Sequence, residues 1–333
     1  MNDTPNQKSK HPLFKSLVGF MVGLLIAAGV FVYGNRVVDF IVASRYTPTS
    51  QIAAIHDSLK LTGEGTNLLY ASMPLVQDGQ AFNAACASTE RTQAILGCYG
   101  NRDIYIYNVT NPELTGAMEV TSAHEMLHAA YDRLNILERP AVDKMLREQY
   151  DKLKSDSRLT KLITYYEQAE PDAIDNELHS ILGTTIANLS PQLEAYYERY
   201  FTDRQAIVVM NQKYNAVFES IDAQAKQLAA QIDELKPRVE QQLANYQQDL
   251  QVLNQDIVVF NSRVTSGAFS TQSEFDAARL VLVSRSNNLN AWRDTLNGEI
   301  NQYNVLVAQQ NKLSVRTEQL NSSINAAPEA SGL

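Results

Sequence analysis

The sequence predicts an α+β fold dominated by helix, preceded by a transmembrane helix and followed by a long antiparallel coiled-coil hairpin. Three observations predict it. An uncharged run of 20 residues lies near the N-terminus, a single alternating segment interrupts a helix-patterned middle, and apolar positions then step by three and four toward the C-terminus.

The uncharged run is "SLVGFMVGLLIAAGVFVYGN", residues 16–35. As a helix it reaches about 30 Å, the thickness of a bilayer's hydrocarbon core. It is long for a cleaved signal peptide, and no small-x-small cleavage site follows it closely, so it is expected to remain as a single-pass anchor. Lys8, Lys10 and Lys15 precede it, against Arg36 and Arg45 beyond it, which favours a cytoplasmic N-terminal tail (1–15) and an extracytoplasmic remainder in the cell membrane. Gly19 and Gly23 form a weak GxxxG pair. Cys86 and Cys98 have no other cysteine to compete with, and outside the cytoplasm they are expected to form one disulfide rather than two buried thiols. The whole chain carries a net charge of −9. Lys8, Lys10, Lys15 and Arg36 stand against Asp3 in residues 1–36, so the rest is more acidic still. With no basic stripe, nucleic acid is excluded as a partner.

Residues 46–200 read as one domain. A helix is expected to run to about Leu61, "TGEGT" to be a turn, and 67–76 to return to an apolar pattern. "DIYIYNV" (103–109) alternates apolar and polar with β-branched and aromatic residues and predicts a strand. Helices follow over Ala117–Leu137, Pro140–Ser155, Leu159–Gln168 and 171–185, the last ending near Gly183. From Thr202 the seam Ile207, Met210, Tyr214, Val217, Ile221 continues in steps of three and four to Val264, with two stutters and with Pro237 as an expected kink. "TSGAFSTQSEF" (265–275) breaks it, and Thr271 with Glu274 makes a capping box for a second long helix. Residues 202–325 are therefore a coiled-coil hairpin, a surface for self-association or for a protein partner, and 326–333 a disordered tail.

The chemistry lies in "TSAHEMLHAAYDRL", 121–134. Residues four apart share a helix face, so His124 and His128 can direct their imidazoles at one point, while Glu125, turned by about 100°, sits beside it. Two neutral imidazoles and an adjacent carboxylate are what a hydrolytic zinc requires, and the spacing is HExxH. Asp132, one turn beyond His128, is a weaker candidate to orient an imidazole.

With this motif the chain resembles the zincin metallopeptidases. The resemblance implies a zincin-like fold in which a mixed sheet packs on the HExxH helix and its edge strand binds extended peptide. "DIYIYNV", ending fifteen residues before His124, looks like that edge strand. No histidine follows His128 at metzincin spacing. "DNELHS" offers Glu177 after Asn176, similar to the gluzincin Asn–Glu pair, although Ile181 stands where thermolysin-like members carry an orienting aspartate. The resemblance thus implies one Zn2+ held by His124, His128 and Glu177, with Glu125 as general base in peptide-bond hydrolysis. His179 is the alternative ligand or a neighbouring supporting group: on a helix it lies about 200° from Glu177, so both cannot face one ion. Tyr165 and Tyr166 are candidate oxyanion donors. Three functions remain open: a membrane-anchored zinc peptidase, a non-enzymatic coiled-coil envelope scaffold with an inactive peptidase-like domain, or a hydrolase of a non-peptide amide such as a cell-wall crosslink, which shares the metal chemistry of the first. Retention of Glu125 favours the first.

Overall fold

A computed structural model describes residues 20–23, 34–86, 96–169 and 171–324. Most of the expected span at 16–35, the tail 1–15 and the tail 326–333 lie outside these residues. Among the described residues no helix is long and apolar enough to cross a membrane. The fold is helix-dominated, with a small mixed sheet and a long C-terminal helix pair. Two compact units form: residues 1–216 together with 322–333, and residues 217–321.

In the first unit a helical segment, 34–45, leads to α1 (Ser50–Leu59), capped by Thr49, whose side chain accepts from the Ile52 amide. The expected turn "TGEGT" is instead the start of α2 (Gly63–Ala71). Thr62 Oγ1 accepts from the Gly65 amide at 3.0 Å, and a Cβ on Gly65 would lie 2.2 Å from the Tyr200 carbonyl oxygen. Glycine here serves close backbone approach rather than a reversal of the chain.

Strand β1 (Leu75–Gln77), helix α3 (Gly79–Ala85) and strands β2 (Gly97–Gly100) and β3 (Asp103–Tyr107) follow. The sheet order is β1-β3-β2, with β1 parallel and β2 antiparallel to β3. The predicted strand is therefore present but central, and shorter than 103–109. The edge beside the histidine helix is β2. Alternation along β3 explains the layers: Ile104 and Ile106 enter the main core, while Tyr105 and Tyr107 face a small cluster of Phe82, Cys86 and Cys98. Cys86 and Cys98 are joined, as expected, by a disulfide that ties the end of α3 to β2.

Helix α4 (Ala117–Asp132) is the centre of the core: Ala123, Met126, Leu127, Ala129 and Ala130 are all buried. It stops five residues short of the expected Leu137, because Asn135 Oδ1 accepts from the amides of Leu137 and Glu138 and turns the chain into α5 (Arg139–Lys152). Then come α6 (Ser157–Ala169), α7 (Ile174–Thr185) and the unanticipated α8 (Pro191–Tyr197), capped by Ser190 with proline in its first turn.

Helix α9 (Arg204–Thr265) runs unbroken through Pro237. Its first turns belong to the first unit, where Ile207 is fully buried. Arg204 donates to the carbonyls of Gly183, Ile186 and Ala187, closing the C-terminal end of α7. In the second unit α9 pairs antiparallel with α10 (Gln272–Ile324), through Tyr246 against Trp292, Phe260 against Phe275, and an Asp256–Arg285 ion pair. Half of the expected capping box forms: Thr271 Oγ1 accepts from the Glu274 amide at 3.1 Å, while Glu274 Oε2 accepts from the amide of Ser270, one residue before the cap, at 2.9 Å.

Candidate metal centre

Helix α4 places His124, Glu125 and His128 along one side, and α7 crosses it with Glu177. The crossing is close because Gly183 has no side chain. A Cβ there would lie 2.4 Å from Leu127 Cδ1 and 2.9 Å from the Tyr197 ring. Glu177 consequently reaches both histidines, with Oε1 3.6 Å from His128 Nε2 and Oε2 3.9 Å from His124 Nε2. The two imidazole rings stand edge to face at 4.7 Å.

The tautomer of His128 follows from its partner. Asn176 Oδ1 lies 3.0 Å from His128 Nδ1, so Nδ1–H donates to the amide oxygen and Nε2 is the nitrogen that faces Glu177. His124 is held neutral, since burial, and then the neighbouring His128 and His179 imidazoles, push its pKa well below the usual value. Two imidazole nitrogens and a carboxylate thus converge at distances too long for hydrogen bonds. Donors about 2.0–2.1 Å from a tetrahedral ion stand roughly 3.3–3.4 Å apart, so the observed spacing is slightly wider than that of a closed coordination sphere. His124, His128 and Glu177 can therefore hold a metal ion.

Glu125 is buried beside this group. Burial pushes its carboxyl up to about 7, with the Glu177 charge adding to the rise and the His128 charge and a hydrogen bond from the Tyr99 backbone opposing it. Strand β2 lies directly on this carboxylate: a Cβ on Gly97 would come within 2.8 Å of Glu125 Oε1. Sequence reasoning missed the parts played by Gly97 and Tyr99, because only the packed fold brings β2 onto α4.

His179 does not join the cluster. It is fully buried on another side of α7, with Nε2 2.9 Å from the Tyr196 hydroxyl and its ring among Tyr131, Tyr196 and Tyr197. Burial, and then the His128 charge, lower its pKa to about 3, so it is a neutral supporting residue. Of the two rivals, Glu177 is the one that faces the histidines. Ile181 is in the apolar core. Asp132 is exposed and accepts from the Tyr99 hydroxyl at 2.9 Å, so it orients that tyrosine rather than a ligand imidazole. Tyr165 and Tyr166 sit on α6, which packs against α7, with their rings in edge contact at 5.4 Å.

Comparison with protein-family models, with curated proteins and with solved structures finds no match to this chain.

Proposed function

We propose that the protein is a membrane-anchored zinc metallopeptidase of the zincin kind, gluzincin-like in taking its third ligand from Glu177, with its working domain outside the cytoplasm. The observation that carries this is the convergence of His124, His128 and Glu177 with the Glu125 carboxylate at their side. The disulfide and the three lysines before the uncharged run support the orientation.

Zinc in such a site supplies Lewis acidity, polarising the scissile carbonyl and acidifying the attacking water. The chain supplies the proton traffic. Glu125, buried beside the ligand cluster, would both accept a proton from the water and return it to the leaving amine. The Tyr99 backbone N–H holds its carboxylate in place. Asn176 fixes His128 in the tautomer that leaves Nε2 free. An extended peptide would lie along β2, whose outer edge is unpaired among the described strands. Tyr165 or Tyr166 would donate to the developing oxyanion. The hairpin would act as an oligomerisation arm or protein-docking surface.

The test is peptide-library cleavage by the zinc-loaded full chain in detergent or nanodiscs. Cleavage should fall by about 10²–10⁴-fold in Glu125→Gln, with zinc retained. Equal cleavage by the wild type and Glu125→Gln would overturn the proposal.

A further inference from the structure

The helical segment 34–45 has its amphipathicity reversed. Asp39 and Ala43, one turn apart, face the domain and are buried. Asp39 Oδ2 accepts from Arg133 Nε at 2.8 Å and Oδ1 from Arg102 at 2.8 Å. The large apolar residues point the other way: Val37, Val38, Phe40 and Ile41 are all exposed, Phe40 to 60%. The turn after α4 extends this surface. Ile136 and Leu137 are 72% and 76% exposed, and the adjoining Glu138 reaches Arg36 at 4.0 Å. Six large apolar side chains are thus presented outward around one ion-paired junction. Single exposed apolar residues are ordinary, but six large ones on two segments that the Arg36–Glu138 pair brings together point to a contact surface.

The position of the patch in the chain identifies what covers it. The 20-residue uncharged run ends at Asn35. If residues 16–35 fill the hydrocarbon core, Val37 to Ile41 follow within about 3–9 Å along a helix. The headgroup layer on each side of that core is about 5–8 Å deep. We infer that this domain rests on the lipid surface through Val37, Phe40, Ile41, Ile136 and Leu137, as an interfacial helix and loop do, rather than standing off the bilayer on a flexible stalk. The inference rests on reading 16–35 as an anchor. The ion pairs of Asp39 with Arg133 and Arg102 fasten the segment to the domain, so its depth sets the depth of the domain.

The full chain is reconstituted into phosphatidylcholine–phosphatidylglycerol vesicles whose acyl chains are brominated near the headgroup in one preparation and near the chain ends in another, and tryptophan quenching is read in three variants after subtraction of the parent signal. Leu137→Trp is expected to be quenched at least about twofold relative to unbrominated vesicles, as a side chain at the acyl boundary would be. Val258→Trp, on the hairpin, is read beside it, and Leu25→Trp, within the uncharged run, reports the anchor itself. Quenching of Leu25→Trp without quenching of Leu137→Trp would overturn the docking inference and leave the anchor standing. Quenching of neither would overturn the anchor reading and, with it, the inference. If Leu137→Trp is shielded from aqueous acrylamide but untouched by bromine, and the shielding disappears on dilution in lipid, a second copy of the chain covers the patch and the bilayer does not.

Discussion

Replacing Glu125 by glutamine removes a charge from a buried position while preserving shape and an acceptor for the Tyr99 amide. The Glu125 carboxyl is pushed up to about 7 from an ordinary value of 4.5. In the chelated protein the folded state therefore keeps a proton over this window that the unfolded state has already released. The folded state binds more protons, so stability falls as pH rises from 4.5 through 7. The penalty is absent below the unfolded pKa and complete above the folded one. Its size is about 3 kcal/mol, from the rise from 4.5 to about 7 at about 1.4 kcal/mol per tenfold change in proton affinity. Glutamine carries no such penalty. With chelator present, Glu125→Gln should be more stable than the wild type at pH 8, by up to about 3 kcal/mol, and the gap should close toward pH 4.5. The assay is urea unfolding of the full chain in detergent, read by hydrogen exchange of α4 peptides so that the hairpin does not dominate the signal. A stability difference that is the same at pH 4.5 and pH 8, or a variant less stable at pH 8, would refute the argument that Glu125 is a desolvated carboxyl.

Three further outcomes follow from contacts around the site. Gly183→Ala puts a methyl 2.4 Å from Leu127 Cδ1, and should cost about 1–3 kcal/mol in unfolding while weakening metal binding, because α7 must move away from α4. Asn176→Ala frees His128 Nδ1 and should lower zinc affinity by about 10–100-fold with little change in melting of the apo protein, measured by competition with a chromophoric chelator. Gly97→Ala drives β2 off Glu125 and Thr121, and should reduce kcat of the zinc-loaded protein more than its zinc content, read by steady-state cleavage beside elemental analysis.

What could be read in advance was what repeats or what is local. The four-residue spacing of His124 and His128 means one helix face in any packing, and α4 provides it. The seam from Ile207 to Val264 and the Thr271–Glu274 box produce α9, α10 and the turn between them for the same reason. Misreadings arose where tertiary contact decides. "TGEGT" has turn composition, yet its glycines allow the Tyr200 backbone to approach. "DIYIYNV" alternates as any half-buried strand does, and alternation does not reveal that β1 and β2, of three and four residues, flank it. Asn135 stops α4 early through a side-chain turn that apolar periodicity ignores. Ser190-Pro191 was a legible helix start that the periodicity of so short a helix did not bring out. The choice between Glu177 and His179 needed the crossing of α7 over α4, which Gly183 permits and sequence spacing does not encode.

The most direct test of the central claim is metal content. The full chain, purified in detergent without added metal and analysed by elemental mass spectrometry, should carry about one zinc per chain. Glu177→Ala should lose it and His179→Ala should keep it. Wild-type protein without metal, or zinc that survives Glu177→Ala and leaves with His179→Ala, would contradict the site described.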